Sequence, residues 1–575
     1  MKTYIETFNF IKKYQPYSIY LLLFVFVISS FIEAIGISFV MPVIALVLDE
    51  NFMIILRNSS FGKYVPEFIL NLDRTDALMF FSIVVVLIYV VKNFILVITE
   101  YLKFIFINNI KEKISTLVMN KYLHQDYLYH SKKENAEMNS IVNQKITDLT
   151  DGLLLSVLII MSEAIMVLGL FILIIFFNQL NTFLILISLF SIGIVSSKII
   201  TVFIKKIGNE RQKNIDIKFE NFTNIINNFR EILLTGKTGL YFSKFSDSLK
   251  VIAKMDAIRA ALQRSPQLIF ETLGITGLII IIYYLLNINA STTKIITVCT
   301  FFAAVSYRAI PSLHKILFFH YNVKYYKPIF NEITNEIDIE NKIQYHDEKF
   351  NIKNNLELKN IFFKYDESKN HILKNLNIKV NLNSSIGIFG KSGSGKTTFL
   401  DILSGLVTPS EGLISIDDQP VNNNYLRRKL QNNISYISQR TTVIRDNLLN
   451  NVCFGIEEKN IDFEKYNQAL EICELKNVEK DFNNKEKEVS DFGKNISGGQ
   501  LQRIGIARAI YQNKEILIFD EATNALDEQL EKTIVSKLLK LKNNKIIIFV
   551  SHNQELLKKF DYVYELNNSK ILKIK

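Results

Sequence analysis

Nine consecutive residues of this 575-residue chain have the types and spacing to hold a phosphate chain: Gly390-Lys391-Ser392-Gly393-Ser394-Gly395-Lys396-Thr397-Thr398. They fit the order G-x-x-x-x-G-K-[ST], in which the glycines let successive backbone N–H groups turn inward around a phosphate. Lys396 has the reach to meet the β- and γ-phosphates, and the Thr397 hydroxyl suits Mg2+. Such a loop needs a strand to launch it and a helix to receive it. Ile386-Gly387-Ile388-Phe389 before it and Phe399-Leu400-Asp401-Ile402-Leu403 after it carry those patterns. The helix start adds the positive end of its dipole to the same anion. A second element completes the chemistry: the apolar run Ile516-Leu517-Ile518-Phe519 ends in Asp520-Glu521. Asp520 is placed to hold the metal ion directly or through water, and Glu521 to take a proton from an attacking water. These residues predict a site that binds and hydrolyses a nucleoside triphosphate.

The remaining sequence says where that energy is used. Hydrophobic residues make up 49% of the chain, and nearly all the long apolar runs lie before residue 320. A bilayer core takes about 20 apolar residues per helix. Six runs meet that need, at 17–48, 77–99, 153–178, 181–204, 266–286 and 295–319. The first is too long for a signal-peptide core and has no small-residue cleavage site after it, so it is expected to stay as a span. Residues 100–152 hold seven Lys and residues 205–265 hold twelve Lys plus Arg, whereas the opposite loops have Arg57, Lys63, Arg74 and Lys294. The basic loops are therefore expected in the cytoplasm, with both termini and the triphosphate site. Both loops keep helical apolar spacing, so their helices should run past the bilayer towards a cytosolic partner. The net charge of +11 fits loops facing acidic lipid, not nucleic acid. Three scattered cysteines argue against a disulfide framework or zinc site. Residues 1–16, with Tyr4, Ile5, Phe8, Phe10 and Ile11 before Lys12-Lys13, read as an interfacial helix. The expected order is an α-helical membrane domain of six spans at 1–335, a linker at 336–355, and an α/β nucleotide-binding domain at 356–575.

One further motif narrows the class. Asn495-Ile496-Ser497-Gly498-Gly499-Gln500 precedes a helix bearing Gln502, Arg503 and Ala507-Arg508-Ala509. Ser497, Gly498 and Gly499 at a helix start make a second anion cradle, and one nucleotide does not need two in one chain. The pattern resembles the LSGGQ signature of ABC transporters, with Ile496 in the leading position. Six spans followed by one nucleotide domain resembles their exporter-type half-transporters. The resemblance implies that the cradle of one subunit closes on the γ-phosphate of ATP held by another, hence a homodimer with two equivalent sites. It implies that Tyr365 stacks on adenine and that Gln439, in Tyr436-Ile437-Ser438-Gln439, senses Mg2+. It gives Asp527, in Asn524-Ala525-Leu526-Asp527, to the D-loop, and His552, in Val550-Ser551-His552, to the γ-phosphate. The chain departs from the family's common pattern at Ser490 (commonly Gly), Asn524 (commonly Ser) and Asn553 (commonly Arg).

Charges within the spans bear on what is moved: Glu33, Lys92, Glu163, Glu271 and Arg308. A lone charge is costly in hydrocarbon, so each needs a partner or a wet cavity. Lys92 and Arg308 suit a phosphate or pyrophosphate head group; pairing with the carboxylates is the alternative. Ser30-Phe31-Ile32-Glu33 with Val40-Met41-Pro42, and Tyr307-Arg308 with Pro311-Ser312, are similar to PglK-type lipid-linked oligosaccharide flippases. That resemblance implies a polyprenyl-pyrophosphate glycolipid flipped across a bacterial inner membrane. It also implies that the outer segment beginning Phe52-Met53-Ile54-Ile55-Leu56 meets the lipid tail. Export of peptides, drugs or lipid A-type lipids is the alternative within the same architecture.

Overall fold

The computed structural model describes residues 2–48, 52–58, 66–176, 180–365, 370–482, 489 and 495–575. The chain divides into one unit of Met1–Leu123 with Lys133–Glu340 and a second of His124–Lys132 with Asn341–Lys575. The helical part therefore ends at Glu340, five residues beyond the expected 335, because helix winding continues to Asp338. Part of the expected linker is not loose: Phe350 and Ile352 are buried in the core of the second unit.

The first unit is built from α1 (Lys2–Tyr14), α2 (Ser18–Leu48), α3 (Phe52–Asn58), α4 (Glu67–Leu70) and α5 (Arg74–Leu123). After a short helix α6 (Tyr127–Lys132), which belongs to the second unit, come α7 (Asn135–Ser140) and two π-helical turns at Ile141–Lys145 and Asp148–Leu154. Then follow α8 (Leu155–Phe176), α9 (Leu180–Asn227), α10 (Phe229–Thr235), α11 (Thr238–Asn287) and α12 (Thr292–Asp338). At 1.5 Å per residue the 50-residue α5 is about 75 Å long, more than twice a hydrocarbon core. Its later turns bury Phe106, Ile110, Ile114 and Val118, a helical stripe that packs on protein. Among the described residues five helical stretches are long and apolar enough to cross a membrane: Ser18–Val47, Arg74–Leu123, Asn135–Ile175, Thr238–Asn287 and Lys294–Asp338. The expected span at 181–204 falls in α9, many of whose side chains there lie outside the described set, as does most of the 178–181 turn.

Polar contacts fix how these helices meet. Lys145, 1% exposed, pairs with Asp216 of α9 at 2.8 Å and with Glu332 of α12. Arg211 of α9 reaches Asp148 at 2.8 Å. Such buried pairs add little net stability but are expensive to break, so they set register. α1 is held on α12 by one face: Tyr4 Oη lies 2.5 Å from His320 Nδ1, Lys327 meets Glu6, and Phe10 sets its ring edge against Phe330. In α3, Phe52 and Met53 pack on Leu46, Ile69, Ala77 and Phe81, whereas Ile54 is exposed. The outer segment thus turns much of its apolar surface to protein; Ile55 and Leu56 lie outside the described side chains.

The second unit has two sheets. A four-stranded antiparallel sheet runs in the order β2 (Leu373–Asn381), β1 (Asn355–Phe363), β4 (Glu411–Ile416), β5 (Gln419–Pro420). A six-stranded sheet runs in the order β10 (Lys570–Lys573), β9 (Tyr562–Asn567), β3 (Ser385–Phe389), β8 (Ile546–Val550), β7 (Ile516–Asp520), β6 (Ile434–Ile437). From β9 to β6 every neighbour is parallel. β7 and β8 are buried along their whole length, as continuous Ile, Leu, Phe and Val runs require in a parallel sheet covered on both faces. The helices of this unit after α6 are α13 (Lys396–Leu403), α14 (Asn424–Asn432), α15 (Leu448–Val452), α16 (Phe463–Ile472), α17 (Lys476–Phe482), α18 (Gly498–Gln512), α19 (Glu528–Lys540) and α20 (Gln554–Leu557).

Candidate functional site

Parallel strands all end on one edge, and ligands of open α/β sheets bind outside their carboxyl ends. Here the order β3-β8-β7-β6 places four short segments side by side on that edge. They are Gly390–Gly395 after β3, Ser551-His552 after β8, Asp520-Glu521 at the end of β7, and Ser438-Gln439 after β6. The sequence separates these segments by as many as 160 residues; sheet order brings them together.

The loop is shaped by its glycines. Gly395 caps α13 with φ +98°, a conformation L side chains rarely adopt, and a Cβ on Gly390 would lie 2.3 Å from the Leu566 carbonyl oxygen. Lys391, Ser392 and Gly393 are exposed, and the buried Ser394 Oγ has no hydrogen-bond partner. Lys396 donates to the carbonyls of Gly390 (2.9 Å) and Lys391 (3.3 Å) and stands 3.6 Å from Glu521. Thr398 Oγ1 is 3.4 Å from the hydroxyl of Tyr365, whose ring sits edge-on to Phe363.

Glu521 is the hub. It is 8% exposed and has φ +51°, which is uncommon outside glycine. Its Oε2 accepts from Gln439 (2.8 Å) and Asn524 (3.0 Å), and its Oε1 lies 2.9 Å from His552 Nε2. Beside it, Asp520 accepts from the Tyr436 hydroxyl at 3.1 Å. Burial, and next the neighbouring Glu521 charge, hold the Asp520 carboxyl above its ordinary range, against the pull of Tyr436, Thr397 and Lys396. Thr397 lies close enough to pull on the Asp520 carboxyl, so one carboxylate and one hydroxyl stand together where a hard cation needs oxygen ligands. With Gln439 next to them, this set fits Mg2+ completed by phosphate and water oxygens, and the orphaned Ser394 hydroxyl fits a phosphate acceptor.

Ser497 and Asp527, which the resemblance gives to the partner copy's ATP and to the D-loop, are helix caps in this chain. Ser497 is exposed and caps α18; its Oγ accepts from Gln500 N (3.2 Å) while Gln500 Oε1 accepts from Ser497 N (2.9 Å), a closed capping box. Among the described residues no hydrogen bond or ion pair joins Ser497, Gly498, Gly499 or Gln500 to the 390–398 loop. Asp527 caps α19 through Leu530 N. Tyr436 and Gln502, which accepts from Ala525 N at 2.8 Å, were not expected at the site. Tyr436 lay inside the quoted Gln439 motif, but no spacing rule marks a tyrosine as the partner of a distant aspartate.

The sequence matches the family described as ABC transporter over residues 373–524 and that described as ABC transporter transmembrane region over 22–310, half of the chain. The chain belongs to the ABC transporter family. An ATP-dependent lipid A-core flippase of Pseudoalteromonas translucida is 33% identical over 227 residues, 38% of each protein. A glutathione/L-cysteine transport system ATP-binding/permease protein of Haemophilus influenzae is 29% identical over 214 residues, 37% of each. The aligned part thus spans well under half the length of these curated relatives. The fold is that of an ABC exporter: a solved bacterial Atm1-family ABC exporter with ATP bound superposes with a TM-score of 0.76 over 98% of this chain and 95% of its own, at 16% identity.

In the helical unit of this ABC transporter family member, Arg308 does not stand as a free cation. Its Nε is 2.5 Å from Glu33 Oε1 and its Nη2 donates to Glu33 Oε2 at 2.9 Å, with Glu163 at 3.8 Å. Lys315 meets Glu163 at 2.8 Å; this lysine, two turns after Arg308, was not among the charges expected in the spans. Lys92 is half-buried with its ammonium 4.3 Å from the Tyr89 ring centroid, and Glu271 accepts from Gln267.

Proposed function

We propose that this chain forms a homodimer that uses ATP to export or flip an anionic amphiphilic lipid across a bacterial inner membrane, with both termini in the cytoplasm. The convergence of Lys396, Asp520, Glu521, Gln439 and His552 on one sheet edge carries the reading. Lys396 and the 390–398 loop bind the phosphates, and Tyr365 takes the adenine face. Thr397 and Asp520, with Gln439 near them, would hold Mg2+, which would supply positive charge against the phosphates. Glu521 accepts the proton of a water as its oxygen bonds to the γ-phosphorus and the bond to the β,γ-bridging oxygen breaks, its electron pair leaving with ADP. His552 steadies the γ-phosphate. Ser497, Gly498, Gly499 and Gln500, which among the described residues make no hydrogen bond or ion pair to their own loop, serve the ATP of the partner copy, with Asp527 at the seam.

For cargo, the lipid A-core names of relatives favour a lipid A-type glycolipid, which is anionic and amphiphilic. A polyprenyl-pyrophosphate oligosaccharide is the second reading, resting on the motifs around Glu33 and Arg308. Because Glu33 occupies Arg308, Lys92 is the better-placed cation for a lipid phosphate. In proteoliposomes the wild type should hydrolyse ATP faster when given its lipid, whereas Glu521→Gln should bind ATP and lose turnover by 100-fold or more, of order the general-base contribution. Undiminished hydrolysis by Glu521→Gln removes the base assignment. Stimulation by a drug or peptide, with no response to either glycolipid, removes the lipid reading.

A further inference from the structure

We propose that Asn524 is a positioning residue for Glu521, aiming the carboxylate that takes the water's proton; this rests on the reading of Glu521 as the base. Asn524 is where the chain departs from the Ser common in its family, and its side chain, though exposed, turns its amide back onto Glu521. Its Nδ2 donates to Glu521 Oε2 at 3.0 Å, on the oxygen that also accepts from Gln439 at 2.8 Å. Two donors on Oε2 leave Oε1 as the oxygen turned to Lys396 (3.6 Å) and His552 (2.9 Å), where the phosphate and water come together. Hydrogen bonds to a charged acceptor are the strong, directional kind, so the pair fixes the carboxylate's rotation.

The amide is delivered from a braced turn. On one side Thr523, 1% exposed, donates to Glu531 Oε1 at 2.6 Å, and Glu531 Oε2 accepts from Asn553 at 3.2 Å. On the other side Ala525 N donates to Gln502 Oε1 of α18 at 2.8 Å. The turn closes on itself through Asn524 N to Glu521 O (3.3 Å) and Leu526 N to Thr523 O (3.0 Å). Both neighbours of Asn524 are thus tied to other elements. The Asn524 side chain is held over a glutamate whose own backbone sits at φ +51°, and it adds to the contacts from Gln439 and His552 that hold that carboxylate.

Steady-state and single-turnover ATP hydrolysis by the full-length protein tests this. Asn524→Ala should lower kcat on the order of tenfold, the weight of one charge-assisted hydrogen bond, with KM for ATP changed less than about twofold. Asn524→Asp keeps the shape but puts a like charge beside Glu521, and should lower kcat at least as far. In a Glu521→Gln background, adding Asn524→Ala should cost no further loss of the residual single-turnover rate, because a positioning residue acts only through its target. Equal loss in both backgrounds, a loss confined to KM, or full activity in both Asn524 variants would overturn the proposal. Retained turnover in Glu521→Gln alone would instead strike the base assignment beneath it.

Discussion

Asp401 stands one turn into α13, 5% exposed, in the field of Asp520. Burial first, and the Asp520 charge second, push its carboxyl up from 3.8 to about 6. The folded chain therefore holds this proton more tightly than the unfolded chain does. Stability from this group is full below about pH 4, declines as pH rises through about 6, and is lost above that, of order 3 kcal/mol in all. Asp401→Asn, which keeps the shape without the charge, should raise the melting temperature of the nucleotide-free protein at pH 8 and do little at pH 4.5. An equal shift at both values would show that burial of this charge is not what limits stability. Nothing in the spacing of Asp401 marks it; it looks like any polar residue of a helix, and only the approach of β7 gives it a charged neighbour. Lys396 and Thr397 differ, because a loop that wraps phosphate with its own backbone is encoded locally and legible in nine residues.

Helices α2, α8 and α12 are joined by Glu33, Glu163, Arg308 and Lys315. Removing one partner of a buried pair leaves the other charge stranded, at a cost of about 3–5 kcal/mol. Arg308→Ala should thus cut folded yield sharply, and Arg308→Met with Glu33→Leu should restore it, as judged by monodispersity in detergent. Among the described residues Lys92 has no ion-pair partner, so Lys92→Ala should lower lipid-stimulated ATPase more than unstimulated ATPase. If Arg308→Ala folds normally but loses only lipid stimulation, the arginine is a head-group ligand and the pairing is incidental. The presence of charge in the spans was legible in the sequence; its pairing was not, since Arg308 and Glu33 lie 275 residues apart. Apolar periodicity likewise gave the helices but not their ends. α12 runs to Asp338 because Tyr321, Tyr325 and Ile333 bury one side of its last turns.

A single chain holds one phosphate loop and one signature helix, and within it α18 presents Ser497 outward under a self-contained cap. Two such chains face to face would give each loop a cradle from the other. A cap that bonds the N–H groups of Ser497 and Gln500 fixes the helix start before it meets phosphate, which lowers the ordering cost of closure. Cysteines placed at exposed Ser392 and at Ser497 should join separate copies through a short bifunctional thiol reagent when Glu521→Gln is held with ATP and Mg2+. Cross-links that form only within one chain, or not at all, would remove the shared-site dimer.

Local sequence determined the phosphate loop, the acidic strand end, the signature helix start and the apolar helices, because each is a short-range pattern of backbone conformation or transfer energy. It also determined the family, since those patterns occur in a fixed order. Tertiary structure alone decided which distant groups meet: Gln439 and His552 around Glu521, Tyr436 on Asp520, and Glu33 on Arg308. Those contacts depend on strand order and helix packing, which sum many weak long-range terms, and no single stretch of residues contains them.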